Sequence, residues 1–307
     1  MSKPKILVIL GPTATGKSSL AVKVARKFNG EIISADSRQV YKGLDIGTGK
    51  ITEEEMGGIP HHLLDVVEPG TEFSVAEYKK LAEEKIEEIL SKGNLPILVG
   101  GTGFYIQSIV DGLVLPEVPP NEKLRKELEE KPVDELFEIL KRFDLERATA
   151  IYGSNNKRRI IRAIEITTAL GKVPELKKDP KYNTLQIGLG IRDQINQNER
   201  GSTSFILKKR IHDRLVERIE TGMIEEGERL EKEIGLDRMI QLGLEYKYLA
   251  LYLKGDLEKE EMIEKLEIAI GQYAKRQRTW FKRDERIFWF EPNKKEKIFD
   301  LIEGFLH

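Results

Sequence analysis

Short stretches of the chain are apolar with almost no interruption: Lys5 to Leu10 (KILVIL), Glu31 to Ala35 (EIISA) and Leu95 to Val99 (LPILV). They are too short for independent helices and lack the alternation of a half-exposed strand. That pattern predicts strands buried on both faces. Between them the period changes to that of helices. One is predicted over Ser19 to Phe28. Another starts at Ser74, where Glu77 three residues on completes a capping box, and runs to about Leu90 before Gly93 stops it. Strand, helix and strand in this rhythm predict a parallel sheet with crossover helices.

From Asp111 onward the pattern changes. Pro116, Pro119, Pro120 and Pro132 punctuate the chain, and helical periods such as LFEILKRF and RIIRAIEITTAL follow without a strand of the first kind. The segment 113–180 therefore reads as a mostly helical insertion carried by a core of residues 1–112 and 181–307. Strand character returns at Leu185 to Ile191. The polar run Asp193 to Ser204 (DQINQNERGSTS) reads as a loop. Long helices are predicted over Phe205 to Ile234 and Leu257 to Trp280, and a last strand over Arg286 to Phe290. The fold class is α/β: a P-loop NTPase-like parallel sheet flanked by helices, with that insertion.

Composition adds limits. Of 307 residues, 39% are apolar, enough for a sizeable core, and 34% are charged, above the usual share of about a quarter. Mixed Lys/Glu faces such as Lys79 to Lys92 account for the excess, a composition that a thermophilic source would explain. The net charge of −1 announces no nucleic acid by itself, so local clusters matter. The absence of cysteine excludes disulfides, thiolate nucleophiles and Cys-ligated zinc. No signal-peptide pattern and no apolar run of the ~20 residues a membrane helix needs is present. The expectation is a soluble cytoplasmic protein.

Gly11-Pro12-Thr13-Ala14-Thr15-Gly16-Lys17-Ser18 fits G-x-x-x-x-G-K-[ST] without mismatch, between a strand and a helix. Glycines let backbone N–H groups converge on phosphate oxygens, and the helix N-terminus adds partial positive charge. Lys17 would neutralise phosphate charge, and Ser18 would offer its hydroxyl to Mg²⁺. The strand that in a P-loop hydrolase ends in a magnesium-ordering acid ends here in Gly100-Gly101-Thr102-Gly103. The acid follows EIISA instead, as Asp36. In a parallel sheet Gly11, Asp36 and Gly100 share the carboxyl edge, where ligands of open α/β sheets bind. A carboxylate there can be a base, a magnesium ligand through water, or a helix cap, and spacing leaves the three open.

At this point the chain resembles the tRNA dimethylallyltransferase (tRNA isopentenyltransferase) family. The resemblance rests on GPTATGKS, on Ile33 to Thr48 (ISADSRQVYKGLDIGT), on Pro60 to Asp65 (PHHLLD), on Val99 to Tyr105 (VGGTGFY), on Arg158 to Glu165 (RRIIRAIE) and on Gln272 to Trp280 (QYAKRQRTW). These blocks stand in family order and span nearly the whole chain. The resemblance implies dimethylallyl diphosphate as donor, the adenosine beside the anticodon of tRNA as acceptor, Mg²⁺ as cofactor and a monomeric protein. It implies that Asp36 accepts the proton of the adenine amine, and that Gly11 to Ser18, chiefly Thr13, Lys17 and Ser18, hold the diphosphate and its metal. Arg210 or Arg214 would reach the diphosphate. Ser37, Arg38, Gln39 and Thr102 would contact the target nucleotide. Arg125, Arg158, Arg159, Arg162, Lys275, Arg276 and Arg278 would contact the tRNA. The chain departs from the family pattern at Ile270-Gly271, where Thr-Arg is usual.

The basic clusters suit that acceptor. Asn155 to Arg162 holds four cations, and Lys275 to Arg283 holds five with Trp280 and Phe281 between them. Read alone, a charge run is more often a solvated face and Trp280 more often core. His61 and His62 are favoured as loop residues over metal ligands, and Tyr246 and Tyr248 as core. Rival readings are an adenylate isopentenyltransferase using free nucleotide, a P-loop small-molecule kinase, and a non-catalytic tRNA-binding module. The basic segments argue against the first. The intact Lys17-Ser18 beside Asp36 argues against the last.

Overall fold

The computed structural model describes residues 2–153, 156–190 and 205–307. Asn155, the final residue of the expected 185–191 strand and the expected 193–204 loop lie outside the described residues. The chain divides into two compact units, residues 1–112 with 180–307, and residues 113–179.

The first unit opens with β1 (Lys5–Leu10), α1 (Lys17–Phe28), β2 (Gly30–Ala35), α2 (Glu53–Met56), β3 (His61–His62), α3 (Val75–Ser91), β4 (Leu95–Gly100) and α4 (Gly103–Val110). The second unit contains α5 (Glu122–Glu129), α6 (Val133–Phe143), α7 (Leu145–Ala150) and α8 (Lys157–Leu170). The chain then returns to the first unit with β5 (Asn183–Leu189), α9 (Phe205–Glu220), α10 (Met223–Ile234), α11 (Leu236–Leu242), α12 (Leu244–Leu253), α13 (Lys259–Phe281), β6 (Ile287–Phe290) and α14 (Lys295–Leu306). No described helix is long and apolar enough to cross a membrane.

The sheet runs β3-β2-β4-β1-β5-β6 with every pairing parallel. Its continuous apolar strands are explained by the two layers they serve. Ile6, Val8 and Leu10 face Tyr78, Ala82, Ile86 and Ile89 of α3 and Ile106 and Ile109 of α4. Leu7 and Ile9 face Leu20, Ala21, Val24 and Ala25 of α1 and Ile298 and Ile302 of α14. Successive side chains point to opposite faces, so a strand covered on both sides has no polar position to spare.

The capping box at Ser74 is present: Ser74 Oγ accepts from Glu77 N, and Glu77 returns the bond to Ser74 N at 2.8 Å. Two expectations need correction. His61 and His62, expected in a loop, form the two-residue strand β3, which is too short to leave an apolar signature. The single helix expected over Phe205 to Ile234 is broken at Gly222, whose φ of 106° lies in the left-handed region. A third apolar core joins α9 to α13: Leu207, Ile211, Met223, Leu230, Met239, Tyr246, Leu249, Met262 and Leu266 pack with Val40, Tyr41 and Leu44 from the segment after β2. Tyr246 is fully buried there, and Tyr248 is half-buried at its margin. The second unit has its own core of Leu128, Leu136, Phe137, Leu140, Ile160, Ile161 and Ile164.

Candidate active site

The loop after β1 is fixed by its own hydrogen bonds. Gly11 has φ 143°, and a Cβ there would strike the Leu189 carbonyl of β5. Thr15 Oγ1, buried, donates to Pro12 O at 2.8 Å, and Lys17 Nζ donates to the same carbonyl at 2.7 Å. Gly16 then starts α1, whose first turn carries no acidic residue, so its positive end is uncompensated by neighbours in sequence. Burial lowers the Lys17 ammonium from 10.5 to about 8; the charge of Asp36 opposes that shift and the charge of Arg214 adds to it. Arg210 Nη1 lies 3.5 Å from Ala14 O. The loop thus gathers Thr13, Lys17, Arg210 and Arg214. Ser18 is exposed on the first turn of α1.

Register aligns Leu10 of β1 with Gly100 of β4, and Gly100 with Ala35 of β2. Gly11, Gly101 and Asp36 therefore begin three adjacent loops, as the parallel sheet requires. Asp36, half-buried, accepts from Arg38 N through Oδ1 at 2.9 Å. Thr102 ties the middle loop to this one: its N–H donates to Ala35 O at 3.1 Å, and its Oγ1 accepts from Ser37 N at 3.0 Å. Gln39 accepts from Ser34 Oγ and donates to Gly49 O, each at 3.4 Å. Asp36, Ser37 and Thr102 share one cluster, and Gln39 links Ser34 of β2 to Gly49.

Other residues of this site were not singled out from the sequence. Gln277 on α13 is buried; its Oε1 accepts from Thr13 N and its Nε2 donates to Gly101 O, both at 2.9 Å. Glu226, also buried, accepts from the backbone of Asp45, Ile46 and Gly47 at 2.8–2.9 Å and from Tyr246 OH at 2.8 Å. Burial raises the Glu245 carboxyl above its usual range, against the opposing charge of Arg218 at 3.8 Å. Arg218 also donates to Gly47 O at 3.0 Å. Gln277 stands within the QYAKRQRTW block, which was its only trace. Glu226 sits in a charged helix and looks there like part of a solvated face, whereas Glu245 is one of two charged residues in the otherwise mostly apolar LEYKYLALYL.

The cationic candidates fall into two groups. On α13, Lys275 and Arg276 are exposed and Arg278 is half-buried, and the Arg276 guanidinium lies 5.8 Å from the Tyr273 ring. Trp280 is not the core residue expected. It is 39% exposed, lies against Gly103 where a Cβ would meet its ring, and meets Phe104 edge-on. In the second unit, Arg158 and Arg159 are exposed on α8, whereas Arg125 and Arg162 bind the buried Glu165 carboxylate at 2.8 and 3.2 Å. His62 bonds Glu31 at 2.7 Å, and His61 Nδ1 lies 2.8 Å from Ile59 O.

Comparison with known proteins gives the same direction. Residues 39–284 match the family model described as IPP transferase. A tRNA dimethylallyltransferase of Thermoanaerobacter sp. is 46% identical over 299 residues, covering 93% of this chain and 91% of that protein. One from Caldanaerobacter subterraneus is 42% identical, with 98% of each covered. Among solved structures, the tRNA isopentenylpyrophosphate transferase of Bacillus halodurans superposes with a TM-score of 0.72 at 39% identity, covering 98% and 96% of the two chains. A eukaryotic dimethylallyltransferase acting on tRNA superposes with a TM-score of 0.80 at 28% identity, covering 99% of this chain and 79% of that one.

Proposed function

The chain belongs to the IPP transferase family, and from that premise we propose that it transfers a dimethylallyl group from dimethylallyl diphosphate to the N6 amine of the adenosine 3′ of the anticodon in tRNA, releasing diphosphate. The observation that carries this reading is the placement of Asp36 on the loop next but one to the phosphate-type loop, close enough for its charge to act on Lys17.

The donor gives up diphosphate, and negative charge grows on the ester oxygen that joined carbon to phosphorus as the carbon–oxygen bond breaks. The loop amides, the α1 N-terminus, Lys17 once a phosphate draws it from Pro12, and the Arg210 and Arg214 guanidiniums would meet that charge, where electrostatic stabilisation acts most strongly. Ser18 fits Mg²⁺ as a hydroxyl ligand. Bound there, Mg²⁺ would supply further neutralisation of the leaving group.

The adenine amine is a weak nucleophile because its lone pair is delocalised. Asp36 accepts its proton as the new carbon–nitrogen bond forms, a contribution of about 10²–10⁴ in rate for a placed base. The target base must leave its stack to reach this edge of the sheet. Ser37, Arg38, Gln39 and Thr102 then contact the target nucleotide, while Lys275, Arg276 and Arg278 of the first unit and Arg125, Arg158, Arg159 and Arg162 of the second engage the rest of the tRNA. The same reading takes the enzyme as a cytoplasmic monomer.

Incubation of the protein with unmodified tRNA, Mg²⁺ and dimethylallyl diphosphate, followed by nucleoside mass analysis, tests it. The expected product is an adenosine heavier by one dimethylallyl group. Transfer to free adenosine nucleotide instead, or phosphate transfer from ATP, would replace the reading with one of its rivals.

A further inference from the structure

Gln277 joins two loops that the chemistry keeps apart in role. Its Oε1 accepts from Thr13 N in the diphosphate loop, and its Nε2 donates to Gly101 O, both at 2.9 Å. The chain of bonds continues: Thr102, the next residue, donates to Ala35 O and accepts from Ser37 N. Those two residues flank Asp36. A path of hydrogen bonds and one peptide link therefore runs from the donor loop to the backbone on either side of the proposed base, and Gln277 is the side chain in it that touches the donor loop. The fit is close. The side chain is buried, and a Cβ on Gly101 would collide with Nε2, so the space a larger residue would fill at 101 is given to the carboxamide.

We propose that Gln277 is a positioning residue that sets the distance between the leaving diphosphate and the amine activated by Asp36. The proposal rests on the prenyl-transfer reading above. A carboxamide suits the task because it offers one acceptor and one donor on a rigid plane, matching one N–H and one C=O. A carboxylate keeps the bond to Thr13 but faces Gly101 O with a second acceptor. An apolar side chain leaves both backbone groups unpaired. Either change lets the two loops drift relative to each other, and a displacement of about 1 Å between reacting groups is enough to cost ~10²-fold in rate.

The test compares Gln277→Glu, Gln277→Leu, Gly101→Ala and the double variant Gln277→Leu/Gly101→Ala in single-turnover transfer to tRNA, with pyrophosphate affinity and thermal unfolding measured alongside. Wild-type transfer is the control. If wild type transfers nothing, the functional reading fails, whatever Gln277 does. With wild type active, the expected result is a roughly 10²-fold loss of the transfer rate in each single variant with KM for tRNA and pyrophosphate affinity within about threefold. Gly101→Ala displaces the carboxamide without changing its chemistry, so the double variant should be no slower than the worse single one. Multiplying losses in the double variant, a loss confined to KM, or an unchanged rate would each overturn the proposal. Should Gln277→Leu not fold, Gln277→Glu and Gly101→Ala carry the same comparison.

Discussion

Lys17 donates its ammonium proton to the Pro12 carbonyl at 2.7 Å, inside the loop proposed to hold diphosphate. The bond folds the lysine back along its own loop. Burial lowers its pKa to about 8, and the nearby Asp36 charge limits the fall. An amine in that state titrates within the working range of an enzyme, and an incoming phosphate competes with Pro12 for the same proton.

This gives a pH dependence with a definite sign. A bound diphosphate favours the charged amine, so binding is strongest below pH 8. Affinity weakens as pH rises through 8, up to tenfold per unit. Pyrophosphate titrations by calorimetry between pH 6.5 and 9.5 check it, with Lys17→Met as the control that removes the protein's share of the effect. A wild-type profile identical in shape to that of Lys17→Met would refute it. For stability the sign is the reverse: the fold disfavours the charged amine, so this group destabilises it below pH 8, and that cost fades toward the ordinary value of 10.5.

Asp36 is the second case. Replacement by Asn removes a base and a charge while keeping the size. The transfer rate should fall about 10²–10⁴-fold with pyrophosphate still bound. Because the Asp36 charge raises the Lys17 pKa, the midpoint of the pH dependence above should also move down in Asp36→Asn. Near-normal turnover in rapid-quench transfer assays would remove Asp36 from the base role.

Glu226 holds the segment after β2 by accepting three backbone N–H groups and the Tyr246 hydroxyl. Ala in its place leaves those donors unpaired, of which Gly47 N and the Tyr246 hydroxyl are buried, at about 1–3 kcal/mol for each group that water cannot reach. Urea unfolding should show a loss of roughly 3 kcal/mol or more for Glu226→Ala, and less for Glu226→Gln, which keeps one acceptor. A loss below about 1 kcal/mol would mean that water satisfies the loop.

In the second unit, burial alone would raise the Glu165 carboxyl. Bonds from Arg125, Asn121 N and Arg162 outweigh burial and hold it below its usual value. A depressed carboxyl stabilises the fold above its unfolded pKa of 4.5, and that stabilisation disappears as pH falls through the folded value. Protection of α5 and α8 against hydrogen exchange, taken relative to the intrinsic rate at each pH, should therefore fall in acid, and Glu165→Gln should flatten the response. Arg125→Ala is expected to lower protection of these helices as well as tRNA affinity. Full protection with weaker RNA binding would leave it a contact residue alone.

The parallel sheet, the phosphate-type loop and the alignment of Gly11, Asp36 and Gly100 were readable in the sequence alone. Their determinants are local: apolar runs, a glycine-lysine spacing, and the rule that parallel strands end on one edge. The Ser74 capping box needed only three residues of context. What tertiary structure decided was the partner of each polar side chain. Gln277 stands 264 positions from Thr13, Glu226 is 179 from Gly47, and Arg125 is 40 from Glu165. No periodicity separates a buried, satisfied Glu226 from the solvated acids beside it, because burial of a polar group is permitted by distant backbone donors. Trp280 went astray for the related reason that a glycine, Gly103, rather than a core, shaped its seat. Patterning along the chain reports what must leave water; which polar groups may follow is settled only when the folded chain supplies their bonds.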